Sequence, residues 1–456
     1  MNAVTNSHRS GGMRCSSAHS SRSAFRDSLT TPSEAATSTI LIHLLGVGVW
    51  AGGLAVLQIL PLGAEGPARA ADETREGRVR DDAEVIRRYS HLALICWVAV
   101  AASGLWALWL RMDSLGQLLT SAYVQIGAAK AVLLVVLGLI GAQQRGVLAR
   151  AASGGLGIYR RLALLELGLM SLAIALAAAM SSSPPPADAS PAPGSLAELL
   201  TGYPLPPAPV LPDALTAWRP DALLIALAIA LLLGWWRPGA PARSRSASAR
   251  LVAGAVLLVV VGSGPLAVYA KVLASAHLIE HATLFALVGP LLGSAVPAPR
   301  WLQCLGARSP WPLWVLSTVP VLLLSGFYAV PLLLRSALQG HVLHLVLLLG
   351  AVALGAVQTW IVDALRRTRS GWPVLLGIAI PVLLLAAAGL QLALGETVLI
   401  PSWFGATGRP WRTDALADQR AGGWGVLLLA LALAGTLTGA LGALTRRSSG
   451  PVAVAR

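Results

Sequence analysis

The chain has 456 residues, of which 55% are hydrophobic and only 12% are charged. Soluble globular domains carry roughly 25% charged residues, so this composition excludes an ordinary soluble domain. The net charge of +14 comes mainly from arginines in short segments between apolar runs, and no basic face is visible. We therefore predict no nucleic-acid partner.

Apolar segments recur along the chain, and each lies near the ~20 residues that a helix needs to cross a bilayer. They are continuous Leu, Ala, Val and Gly blocks without the alternation of membrane β-strands. We therefore predict an all-α, polytopic helical bundle in the lipid bilayer, with about 11 transmembrane helices. The segments are 40–60, 90–110, 122–142, 161–180, 221–236, 251–270, 272–295, 312–334, 341–363, 373–395 and 424–445.

A Pro-rich stretch at 184–220 divides these segments into four and seven. Proline at this density cannot build a helix or a central strand, so we predict a flexible extracytoplasmic linker. It would join a four-helix membrane domain at 39–183 to a seven-helix membrane domain at 221–446. The polar, Ser-rich residues 1–38 predict a disordered tail, and residues 447–456 form a C-terminal tail.

The loops between the segments predict the orientation in the membrane. Outside the N-terminal tail, one alternate set carries about 22 Lys and Arg residues and the other carries 7. The positive-inside rule places the richer set in the cytoplasm. We therefore predict a multi-pass plasma-membrane protein whose N-terminus lies outside and whose C-terminus is cytoplasmic.

Four of the eight histidines open two of the apolar segments. His277 and His281 open the seventh, and His341 and His344 open the ninth. Spacings of four and three residues put each pair on one helix face, and both segments start outside. Imidazole suits copper, zinc, iron and nickel, and ionisable groups within membranes tend to be functional. We predict a metal site there, with packing histidines as the alternative.

Two further residues belong to this hypothesis. Glu280, between the members of the first pair, could orient an imidazole or join the metal, or it could snorkel to the interface. His43 lies near the outer end of the first segment. A haem held by His43 and His91 is another possibility, although these residues lie at opposite ends of their helices.

The sequence gives no sign of catalysis. It contains neither a nucleotide-binding loop nor GxSxG, and HLIEH carries its glutamate fourth, unlike the zinc motif HExxH. Lys130 and Glu166 could form an ion pair within the first four helices. The last outer loop supplies aromatic-belt residues and carboxylates for docking a partner or binding a cation: Trp403, Trp411, Trp424, Asp414 and Asp418.

Several stretches resemble known families. The second half resembles the CtaG family of cytochrome c oxidase assembly factors in WRPD (218–221), KVLASAHLIEHATLFALVGPLLGSAVPAP, SGFYAVPLLLRSALQGHVLHLVLLLGAV and DQRAGG (418–423). The first half resembles the CopD family of copper resistance membrane proteins in HLLGVGVWAGGLAVL (43–57) and RRLALLELGLMSLAIALAAAMSSSPPP (160–186). The chain is thus similar to a fusion of the two.

The resemblance implies a copper-handling protein that supplies copper to a cytochrome c oxidase subunit or another copper chaperone at the extracytoplasmic face. A copper transporter is the alternative, and the bis-His haem protein is a third. The paired histidines match the CtaG pattern, and His43 matches the first-helix histidine of CopD. The family motif HMxQHM is HLIEHA here, and a further family histidine is Gln391. Without the two methionines, selection for Cu(I) weakens.

Overall fold

The computed structural model describes residues 32–60, 75–112, 114–150, 156–181, 194–236, 243–369 and 371–448. Within these ranges the chain is helical and has no strand, which confirms the all-α prediction. Ten of the described helices are long and apolar enough to cross a membrane. Most of the expected N-terminal tail, residues 1–31, lies outside the described ranges, as do residues 449–456.

The chain divides into two compact units, and the boundary between them lies inside the Pro-rich stretch. One is formed by Ala35–Ala192, and the other contains Pro193–Arg456. The first unit is built from four long helices. They are α1 (Pro32–Ile59), α2 (Arg75–Leu110), α3 (Ala122–Arg150) and α4 (Leu156–Ser181).

A core between these four helices takes one buried side chain from each: Trp50, Cys96, Leu137 and Met170. Beside it the carboxylate of Glu166 is only 3% exposed. It accepts hydrogen bonds from Trp50 Nε1 at 3.0 Å and Gln144 Nε2 at 2.7 Å. The predicted Lys130–Glu166 pair is therefore wrong, because neutral donors satisfy the carboxylate.

The second unit contains seven longer helices. They are α5 (Ala222–Trp235), α6 (Arg245–Ser263, continued by Pro265–Ala270), α7 (Ala274–Ala295), α8 (Trp311–Ala329), α9 (His341–Thr368), α10 (Trp372–Leu394) and α11 (Ala415–Ser448). Shorter helices lie at Leu196–Thr201, Asp213–Thr216, Arg300–Arg308, Pro331–Gln339 and Pro401–Phe404.

Two predicted segments differ from the structure. The fifth forms α5, which has only 14 residues and is too short to count among the ten spanning helices. The eighth was expected to continue to residue 334, but α8 ends at Ala329 and a separate helix starts at Pro331. Proline disfavours helical backbone in the preceding residue, and Val330 is extended with ψ of 95°.

Helix α7 lies at the centre of the second unit. Its most apolar 18-residue stretch is 67% buried, more than in any other spanning helix described. One π-helical turn, Leu284–Val288, interrupts the α-helix just before Pro290. Because Pro290 has no N–H to donate to Ala286, that carbonyl instead accepts from Thr436 Oγ1 of α11 at 3.0 Å.

Glycines allow α7 and α9 to approach closely. A Cβ placed on Gly289 would lie 2.5 Å from the Val352 carbonyl oxygen, and one on Gly355 would lie 2.2 Å from that of Phe285. Small residues permit such contacts between membrane helices, where lipid removes most of the hydrophobic drive for association. This crossing fixes how the first turns of α7 and α9 face each other.

Residues 194–220 of the predicted flexible linker are folded, and residues 184–193 lie outside the described ranges. Ser195 caps the helix Leu196–Thr201, Tyr203 is 3% exposed, and the Arg219 guanidinium stacks 3.6 Å from the Tyr203 ring centroid. Tyr269 Oη donates to the Pro207 carbonyl at 2.9 Å. The expectation of a flexible chain is therefore wrong for residues 194–220, because their apolar side chains pack on the helices. Its position outside the membrane stays a prediction.

Candidate metal centre

Three of the four paired histidines converge at one end of the second unit. The ring centroids of His277 and His281 are 4.5 Å apart, and each lies 6.0 Å from that of His344. The three side chains are 1%, 2% and 7% exposed. With imidazole–metal bonds of about 2.0–2.1 Å, rings that share a metal have centroids roughly 5–6 Å apart. The observed spacing is close to that range.

The ring nitrogens of this cluster are unusual for buried polar groups. Both nitrogens of His277, Nε2 of His281 and Nδ1 of His344 are buried without a hydrogen-bond partner among the described residues. Buried polar atoms are normally hydrogen-bonded, so these nitrogens fit a metal ion as the absent partner. The rings are not arranged as a complete set of metal ligands. In the described ranges, no group of three or more His, Cys, Asp or Glu side chains is arranged to hold a metal.

His341 makes a polar contact that the other three histidines do not make. Its Nε2 lies 3.1 Å from Oδ2 of Asp221, and both side chains are only 10% exposed. Asp221 also caps α5, because its Oδ1 accepts from the backbone N–H groups of Leu223 and Leu224. Ring contacts thus join three of the four histidines, and the inclusion of His341 in a shared metal site stays a prediction. The carboxylate of Asp221, which is held by two backbone N–H groups of α5, contacts His341.

Tyr328 of α8 also joins the cluster, and no motif in the sequence predicts this. Its hydroxyl is hydrogen-bonded to Nδ1 of His281 and lies 3.5 Å from the His277 carbonyl oxygen. A hydroxyl that donates to this carbonyl accepts from Nδ1–H, which leaves the lone pair of His281 on Nε2. Such partners fix the tautomer of metal-binding histidines. Both Asp221 and Tyr328 lie in stretches that resemble the CtaG family. That resemblance is the sequence signal that could have identified them.

Glu280 is fully buried next to the histidines. Its carboxyl group lies close to Tyr328, whereas a snorkelling carboxylate would reach the membrane surface. The snorkelling alternative for Glu280 is therefore wrong, and its role toward a metal stays a prediction. Gln391, at the position of the further family histidine, is exposed.

The segment between α10 and α11 covers the histidine cluster. Phe404 lies 6.1 Å from the His277 ring, and Trp403 Nε1 donates to the Lys271 carbonyl at 3.0 Å. Both aromatic side chains are 1% exposed. Arg409 donates to the Val272 carbonyl, and burial lowers the pKa of its guanidinium. The predicted belt role is therefore wrong for Trp403, which packs inside the protein.

Asp418 holds this cover in place. Its carboxylate is fully buried, accepts from Ser275 Oγ at 2.6 Å and pairs with Arg412 Nε at 3.0 Å. The predicted docking or cation-binding role of Asp418 is therefore wrong, since these partners engage it. Asp414 instead accepts from the Ala417 N–H at 2.8 Å, and Trp424 is 49% exposed, as a belt residue would be.

His43 lies in the first unit. Its Nδ1 is 3.1 Å from Ser103 Oγ of α2. Ser103 follows His91 by 12 residues on the same helix, which corresponds to about 18 Å along its axis. That separation does not allow His43 and His91 to ligate opposite faces of one haem.

The link between Tyr328 and His281 gives a direct test. We expect Tyr328→Phe to lower copper affinity about 10–100-fold, the usual effect of losing a group that orients a metal-binding histidine. Competition with a chromophoric copper chelator measures it. Tyr159→Phe, which removes a buried hydroxyl in the other unit, should leave the affinity unchanged. Equal affinities of Tyr328→Phe and wild type would contradict this role.

Together, the two units define a multi-pass membrane protein made of helical bundles. Residues 225–448 match the family described as cytochrome c oxidase caa3 assembly factor, and residues 83–180 match copper resistance protein D. The chain therefore carries regions of both families, and the predicted fusion of a CopD-like region with a CtaG region is confirmed.

Two curated relatives come from mycobacteria. They are the uncharacterized protein Mb0105 of Mycobacterium bovis and the uncharacterized protein MT0111 of Mycobacterium tuberculosis. Each is 26% identical over 257 residues, which cover 50% of this chain and 39% of the relative. The match thus spans about two fifths of their length. No solved structure matches the chain.

Proposed function

We propose that the second unit binds copper at His277, His281 and His344 and passes it to a copper-containing subunit of cytochrome c oxidase. The observation that carries this proposal is the triangle of buried imidazoles whose nitrogens have no protein partner among the described residues. The match to an oxidase assembly family supports the recipient. Copper is cargo in this proposal, and the protein is not an enzyme.

The chemistry of the histidine cluster favours copper binding. Three neutral imidazoles supply nitrogen ligands that suit both oxidation states, in contrast to the methionine sulfurs that select Cu(I). Tyr328 holds one ring in place, and the carboxyl group of Glu280 lies nearby. In this proposal the rings of His277 and His344 rotate about their side-chain bonds toward the ion, while Tyr328 keeps His281 in position.

Release requires the cover to move. The imidazoles are almost completely buried, and Trp403 and Phe404 close the end of the bundle above them. We propose that the oxidase subunit displaces this segment when it docks, and that this end faces the outside, as the loop charges predict. Burial until docking would keep copper from competing ligands in solution.

The first unit favours a second function, copper transport across the membrane. It matches copper resistance protein D over residues 83–180. It also contains a cavity of about 340 Å³ lined by Trp50, Tyr89, Tyr159 and the carboxylate of Glu166. Uptake of copper into vesicles that contain the purified chain would separate a transporter from a protein that only receives copper.

Complementation tests the assembly function. A strain of the source organism that lacks this gene should assemble an oxidase deficient in copper. Wild type and the His91→Ala control, which replaces an exposed histidine of the first unit, should restore oxidase copper and activity. His277→Ala/His344→Ala, present at the same level in the membrane, should not. Full restoration by this double variant would overturn the proposal.

A further inference from the structure

A second polar site lies at the opposite ends of α7 and α9 from the histidines. A cavity of about 130 Å³ opens there between the start of α6 and the ends of α7 and α9. One water needs only about 10–15 Å³ of such space, so the cavity is large enough for a bigger group. Its polar lining includes Ser244, Ser246, Arg250, Asp363, Arg366 and Arg367.

The charged side chains of the lining are mostly cationic. It contains three guanidinium groups and a single carboxylate, Asp363. That carboxylate is already engaged, since its Oδ2 lies 2.9 Å from Arg367 Nε and 3.3 Å from the Ala298 N–H. Arg250 donates to the Ser294 carbonyl at 2.9 Å, which positions its guanidinium at the cavity. The Nε of Arg366 is buried without a hydrogen-bond partner among the described residues.

The start of α6 adds further donors. Ser244 caps this 19-residue helix by accepting from the Ala247 N–H at 3.2 Å. The hydroxyl of Ser246 lies in the first turn at the cavity rim, 3.2 Å from that of Ser244. A helix N-terminus carries partial positive charge and favours anions. The start of α6, the two serine hydroxyls and the guanidinium groups thus all line the same cavity.

We propose that this cavity binds a phosphate group, supplied by the headgroup of an anionic membrane lipid or by free phosphate. Arginine forks match phosphate oxygens, and basic pockets between transmembrane helices bind anionic headgroups. The end of the bundle that carries this cavity is the one the loop charges assign to the cytoplasm. The ligand would hold together the ends of α6, α7 and α9.

Retained ligand can be counted by native mass spectrometry of the full-length protein in a neutral detergent. One arm uses phosphatidylglycerol against phosphatidylcholine, and the other uses inorganic phosphate. Wild type should retain phosphatidylglycerol, or phosphate, about tenfold better than phosphatidylcholine. Arg366→Gln should retain about tenfold less of that ligand than wild type, as expected for the loss of one charge-assisted hydrogen bond. The arm that shows binding identifies the source.

Two further variants make the result specific. Arg300→Gln removes an exposed arginine outside the cavity at the same end of the bundle and should retain ligand like wild type. Ser246→Trp blocks the rim without changing a charge and should reduce retention, which keeps the test valid if Arg366→Gln does not fold. Equal losses in Arg300→Gln and Arg366→Gln would show general attraction to basic protein and overturn the site. Absence of binding in both arms would also overturn it.

Discussion

Replacing His277 and His344 by alanine is expected to reduce copper in the purified, copper-loaded protein from a stoichiometric amount to background. The two rings belong to different helices, and their centroids lie 4.5 Å and 6.0 Å from that of His281. Their loss leaves one imidazole of the cluster, which cannot hold the ion against solvent and competing ligands. Metal analysis after gel filtration measures the change, and the absence of a Soret band in wild type would exclude haem.

The single variant His341→Ala is the comparison for the double variant His277→Ala/His344→Ala. In the structure His341 is paired with Asp221, so its removal should leave copper bound, while loss of the pair destabilises the start of α9. A four-histidine site predicts instead that His341→Ala loses copper like the double variant. Stoichiometric copper in His277→Ala/His344→Ala would contradict the cluster altogether.

The helices were predictable because a membrane-spanning helix needs only about 20 continuous apolar residues, which are visible in the sequence. The convergence of His277, His281 and His344 was predictable for a similar reason, since helical spacing places paired residues on one face. The engagement of His341 was not, because its partner Asp221 lies 120 positions earlier in the chain and becomes a neighbour only in the folded protein.

Segments outside the spanning helices were less predictable. Proline density at 184–220 was taken as a sign of flexibility, but Leu200, Tyr203 and Leu205 supply enough apolar surface to pack on the bundle. Trp403 was expected at the lipid interface, as tryptophan often is in membrane proteins, and it instead fills the space above the histidines. Composition predicts which residues favour an interface, whereas burial depends on the path of the loop.

The contact between α7 and α9 leads to the second large effect. We expect Gly355→Ala to lower the free energy of unfolding by about 1–3 kcal/mol, the usual range for overpacking. The added Cβ would lie 2.2 Å from the Phe285 carbonyl oxygen, so the helices must separate. Phe285 follows His281 by one turn of α7, and its displacement should therefore also weaken copper binding.

Gly350→Ala provides the matched control on the same helix. A Cβ at Gly350 meets nothing within 4 Å, so only the helix propensity changes, and replacing glycine with alanine adds up to about 1 kcal/mol of stability. Thermal unfolding followed by circular dichroism in detergent should thus shift in opposite directions for Gly350→Ala and Gly355→Ala. Copper affinity should fall only in Gly355→Ala. If the two variants unfolded at the same temperature and bound copper equally, the close crossing of α7 and α9 would not be what positions the histidines.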